Sequence, residues 1–120
     1  MAKQSNNEFK KRLYTFTLRL IGFLDHLPND NVSKRIGDQL LRSGTSIAAN
    51  FAEGQAANGK KEYTQYFYYS LKSANESKLW LALLRDTKRT EPNEANKLLA
   101  ELKEIANIFA SSILTLKGKR

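Results

Sequence analysis

A chain of 120 residues, 41% hydrophobic and 27% charged, has the balance of a globular protein and room for one core of ordinary size. It contains no cysteine, which excludes disulfides, thiolate metal sites and cysteine nucleophiles, and its formal net charge of +8 favours an acidic partner, most often nucleic acid. The opening MAKQSNNEFKKR lacks the apolar stretch of a secretory signal, and no run approaches the roughly 20 apolar residues of a membrane span, so a cytoplasmic protein is expected.

Between Pro28 and Pro92, and on either side of them, apolar residues recur at helical spacing. In the first segment, about residues 6–26, Phe9, Leu13, Phe16, Leu20, Phe23 and Leu24 advance by threes and fours. Ser5 with Glu8 reads as a capping box, and Pro28 as the stop. His26, the only histidine, lies at the C-terminal end, where an imidazole is better placed to cap free carbonyls than to serve as a general base.

The second segment, about 34–57, opens with Ser33 as its expected N-cap and puts Ile36, Leu40, Gly44, Ile47 and Phe51 on one stripe. Gly54 or Asn58-Gly59 is expected to close it in a left-handed cap. The third runs from about 60 to 87, with Tyr63, Phe67, Ser70, Ala74, Leu81 and Leu84 at helical spacing. The fourth, about 91–117, carries proline in its first turn, places Leu98, Leu102, Ile105, Phe109 and Ile113 inward, and ends at Gly118. No stretch alternates with period two. Four amphipathic helices with short loops predict an all-α, antiparallel up-down-up-down four-helix bundle, one domain over 1–120.

The turn between the second and third helices, GQAANGKK, is one residue short of the phosphate loop G-x-x-x-x-G-K-[ST]. A phosphate loop needs a strand before it and a hydroxyl for magnesium after its lysine. Here a helical stripe, Ile47 to Ala52, precedes the glycines, and Lys61 stands in place of the hydroxyl. The segment reads as a helix-to-helix turn.

Catalytic constellations are absent from the pattern. One histidine and no inward Glu-x-x-His spacing leave no metal site, and no serine has a histidine placed to activate it. The chain is expected not to be an enzyme, to need no cofactor and to take no small-molecule substrate.

Three surfaces remain. On the second helix Gln39, Arg42, Ser46, Ala49, Asn50 and Glu53 span about a third of the circumference at 100° per residue, either as a solvated face or as an ordered hydrogen-bond network. In a hairpin centred on residues 58–59, Arg42 lies level with Asn75 and Glu76, so the spacing predicts an Arg42–Glu76 pair within a protomer or across a subunit boundary. On the third helix the run LWLALL (79–84) is apolar nearly all round. Leu81 and Leu84 suit the core, while Tyr69, Leu79, Trp80 and Leu83 form a second face. That face either packs within the bundle or marks an interface between copies.

The third surface is a charged pole. An up-down topology gathers Lys3, Lys10, Lys11, Arg12, Lys60, Lys61, Lys117, Lys119 and Arg120 at one end against Glu8, Glu53 and Glu62, so most of the net charge is expected there. Lys10, Lys11, Arg12, Lys60, Lys61 and Lys117 are the candidate contacts for phosphate backbones, with little discrimination among bases.

Residues 36–77 carry a further signal in Gly37-Asp38-Gln39-Leu40, Arg42-Ser43, Ser46-Ile47, Asn50, Ala52-Glu53-Gly54, Lys61-Glu62-Tyr63, Phe67, Ser73 and Glu76. This segment closely resembles the small four-helix-bundle proteins encoded within intervening sequences of bacterial 23S rRNA genes, departing from them at Phe51 and Tyr63. The resemblance implies a cyclic homopentamer. It also implies kinship with accessory proteins of diversity-generating retroelements, basic pentamers that bind nucleic acid and a reverse transcriptase. Two functions follow as expectations: electrostatic binding of structured RNA or DNA at the basic pole, or a scaffold docking a protein such as a reverse transcriptase.

Overall fold

The computed structural model describes the backbone of residues 3–118 and the side chains of residues 6–118. Four helices follow one another: α1 (Lys3–Leu24), α2 (Asn31–Gln55), α3 (Lys60–Asp86) and α4 (Pro92–Leu116). Ser5 is already inside α1, not at its cap, and its side chain lies outside the described residues.

The start of α2 differs from the expectation at Ser33. Its N-cap is Asp30, in extended backbone, whose Oδ1 accepts the Ser33 N–H at 2.9 Å while its Oδ2 accepts the Ser33 hydroxyl at 2.8 Å. A carboxylate can take both donors at once, so Asp30 displaces Ser33 to the third helical position and the helix begins earlier. These two donors hold the Asp30 carboxyl below its ordinary value of 3.8. At the end of α1 the His26 imidazole Nδ1 lies 2.8 Å from the Gly22 carbonyl in the last turn of the helix.

The α2–α3 turn also corrects the expected cap. Gly54 stays helical and buried, because a Cβ there would stand 3.1 Å from Tyr66 Cβ, and α2 closes through Ala56 N–H to the Glu53 carbonyl. Gly59 does adopt a left-handed φ of 94°, but as the N-cap of α3. Gly118, φ 69°, ends α4 as the sequence suggests.

Contacts across the bundle fix the directions. Asn6 of α1 donates to Gln55 of α2 at one end, and Arg89 after α3 lies 3.6 Å from Asp30 before α2 at the other. Arg12 reaches Glu101 of α4. Each helix therefore runs antiparallel to the next in a body 45 × 23 × 21 Å.

One phenylalanine from each helix meets at the end of the core nearest the α2–α3 turn. Phe9, Phe51, Phe67 and Phe109 are buried with ring centroids 5.2–6.2 Å apart, mostly edge to face. Such pairs add about 0.5–1.5 kcal/mol each beyond their buried area. The α2–α3 seam is different, being built from Ser43, Gly54, Ser70, Ala74 and Ser77, all buried. Small side chains let the two backbones approach, and their hydroxyls are satisfied. Ser43 Oγ and Ser77 Oγ are 2.8 Å apart, and Ser70 Oγ donates to the Ile47 carbonyl at 2.9 Å. The small-residue contact lies here and not at Ser46 and Ala49.

Candidate nucleic-acid interface

The six basic residues expected at one pole separate into three groups. Lys60, Lys61 and Lys117 come together at the tip, lining with Thr64, Gln65, Tyr68 and Leu116 a groove of about 500 Å³. Gly59 brings no side chain to the N-terminus of α3, so the backbone N–H groups of its first turn point outward beside Lys60 and Lys61. Lys117 is held in place: its ammonium donates to Tyr68 Oη at 2.5 Å and sits 4.7 Å from that ring's centroid. Among the described residues, neither Lys60 nor Lys61 has a carboxylate partner within ion-pair distance.

Arg12 does not belong to that surface. Its guanidinium grips Glu101 with two hydrogen bonds, 2.8 and 2.7 Å, and lies 3.4 Å from Glu104. The Arg12 guanidinium holds the Glu101 carboxyl below its ordinary value of 4.5, and the Glu101 carboxylate raises Arg12 in turn. The sequence count of the pole took only Lys117 from the fourth helix and passed over this carboxylate. Lys10 and Lys11 are exposed on α1, one turn beyond Asn6. Since α1 and α3 make no direct helix–helix contact, they are diagonal neighbours, and these two lysines lie on another flank. Lys3, Lys119 and Arg120 fall outside the described side chains.

The polar stripe of α2 is also smaller than expected. Arg42 Nη2 meets Glu76 Oε2 within the same chain and also donates to Gln39 Oε1 at 3.0 Å. Glu76 Oε2 in turn accepts the Trp80 indole N–H at 3.0 Å. Ser46 and Asn50 do not join: Ser46 Oγ bonds the Arg42 carbonyl and Asn50 Nδ2 the Ser46 carbonyl, each one turn back on its own helix. Glu53 stands exposed outside the cluster.

Of the expected second face of α3, Tyr69, Leu79 and Leu83 are exposed, whereas Trp80 is partly buried against the core. The sequence reading missed Tyr14, Leu18 and Ile21, also exposed, which follow one another at i, i+4 and i+7 on α1. That spacing is legible, but it runs beside the richer core stripe of Leu13, Phe16 and Leu20, which masks it.

A larger groove, about 760 Å³, opens at the opposite end among Arg19, His26, Arg89, Glu91 and Glu94, where charges of both signs alternate. No group of three His, Asp or Glu residues among the described residues is placed to hold a metal ion, and no described helix is long and apolar enough to cross a membrane.

Comparison with known proteins places this geometry in context. A family model described as 23S rRNA-intervening sequence protein matches residues 5–111. A crystal structure from Bacteroides thetaiotaomicron, described as a protein of unknown function from the S23 ribosomal protein family, is similar with a TM-score of 0.81 and 30% sequence identity, covering 87% of this chain and 96% of that one. No curated protein matches the chain.

Proposed function

From a chain that belongs to the 23S rRNA-intervening sequence protein family, and from the basic tip of α3, we propose a non-enzymatic protein that binds the phosphate backbone of structured RNA or DNA as a homo-oligomer, a pentamer by family resemblance. The observation that carries this reading is the convergence of Lys60, Lys61 and Lys117 on one groove at the uncapped start of α3. A helix N-terminus presents N–H groups and partial positive charge to an anion, and two unpaired lysines beside it add full charges. In a ring with parallel subunit axes, these tips lie on one rim and contact successive phosphates.

Aromatic stacking contributes little to the reading. Tyr63 at the tip stacks on Phe67 with centroids 4.6 Å apart, and Tyr68 is engaged by Lys117. Backbone charge therefore dominates and sequence preference is weak.

Binding of a duplex RNA and a duplex DNA to the Lys60→Gln/Lys61→Gln double variant tests this. Affinity for both falls by about tenfold or more at moderate salt. Arg12→Gln, which removes the same kind of charge from a site already neutralised by Glu101, changes it little. Equal binding by the lysine variant and the parent chain contradicts the reading.

A further inference from the structure

We infer that Tyr14 of one copy seats in the hollow between α2 and α3 of a second copy, so that the contact between copies joins two different surfaces. The inference rests on the oligomeric part of the reading above and names the surfaces that make it.

Tyr14 is 64% exposed, with Leu18 at 54% and Ile21 at 41% continuing its stripe along α1. Between α2 and α3, Asn50, Tyr69, Lys72, Ser73 and Glu76 line a hollow of about 540 Å³. It is ample for a phenol ring. Its walls offer an apolar ring in Tyr69, acceptors in Glu76 and Asn50, and a donor in Lys72. A tyrosine presents that combination, an apolar body and one hydroxyl seeking a partner.

The knob and the hollow share one height on the molecule. Gly44 marks the level, because Leu20 Cδ2 covers it and Ser77 Oγ lies 4.0 Å from where its Cβ would be. Six residues from Leu20 toward the basic tip is Tyr14, six from Gly44 is Asn50, and six from Ser77 is Leu71, between Tyr69 and Lys72. At 1.5 Å per residue each is about 9 Å along the same axis. By the same counting Ile21 is level with Lys78, next to the exposed Leu79.

Equal height argues for a second copy as the occupant. α1 and α3 run in the same direction and do not touch, so knob and hollow face different ways and cannot meet within one chain. A neighbour reached by rotation alone, without rise, brings one against the other, and repeating that rotation closes a ring with every basic tip on one side. An isologous pair instead requires a single self-complementary patch.

Sedimentation of Tyr14→Asp and Ser73→Trp variants tests the contact. The first removes the knob and the second fills the hollow. Each alone sediments as a 13.7 kDa monomer with the helical circular dichroism of the parent chain, which sediments as a larger species. An equimolar mixture forms a one-to-one heterodimer and nothing larger, since one intact knob and one intact hollow remain. Leu79→Glu, at a 53% exposed position, replaces Ser73→Trp should tryptophan disturb α3. Assembly of either single variant like the parent, or a mixture that stays monomeric, overturns the inference. A monomeric parent chain overturns it as well, and leaves phosphate binding at the tip to be judged by the lysine variants.

Discussion

Leu20 of α1 lies across Gly44 of α2 so closely that a Cβ on Gly44 would stand 2.1 Å from Leu20 Cδ2. Leu20 is fully buried, so its methyl has nowhere to swing without displacing the core. Gly44→Ala gains about 1 kcal/mol of helix propensity and loses about 1–3 kcal/mol to overpacking, for a net loss near 1 kcal/mol. Gly22→Ala, where a Cβ meets nothing within 4 Å, gains up to about 1 kcal/mol. Thermal melts of the two variants show the same chemical change moving the midpoint in opposite directions.

Glu76 serves two donors at once, the Arg42 guanidinium and the Trp80 indole. Glu76→Ala orphans the indole, leaves Arg42 only Gln39, and costs about 1–2 kcal/mol, whereas Glu76→Gln keeps an acceptor for the indole and costs less than about 1 kcal/mol. Trp80 is the only tryptophan, so its fluorescence reports this cluster alone. Its emission shifts in Glu76→Ala and stays near that of the parent chain in Glu76→Gln.

Glu101 in the fold keeps its charge at pH values where the unfolded chain has already taken up a proton, because Arg12 holds it below 4.5. The Arg12–Glu101 pair therefore contributes fully above pH 4.5 and fades as pH falls through the lowered folded value. Asp30 and Asp86, held down by Ser33 and Arg85 respectively, act in the same direction. Urea titrations of Glu101→Gln show a deficit of about 1 kcal/mol at neutral pH that shrinks in acid.

Much of the fold was legible because helix periodicity and proline placement agree over long segments. The four phenylalanines all lie on predicted core stripes, and Arg42–Glu76 follows from counting outward from the turn. Local competition was less legible. Asp30 outbids Ser33 as a cap through two acceptor oxygens, and Lys88 takes a left-handed φ of 61° after α3 where the sequence offers no glycine. The candidate site was hardest, since a charge count at one pole does not see a carboxylate arriving from farther along the fourth helix, of which only the last residue entered the sum. Arg12 was lost to Glu101 in that way, while the Lys60, Lys61 and Lys117 groove depends on Tyr68 holding Lys117 in place.

The salt dependence of nucleic-acid binding tests the central claim most directly. Each phosphate neutralised on duplex DNA contributes about −0.9 to the slope of log affinity against log salt concentration. The account predicts a steep negative slope for the parent chain that becomes shallower by about two when Lys60 and Lys61 are both changed to glutamine. A slope near zero, or one indifferent to those two lysines, contradicts it.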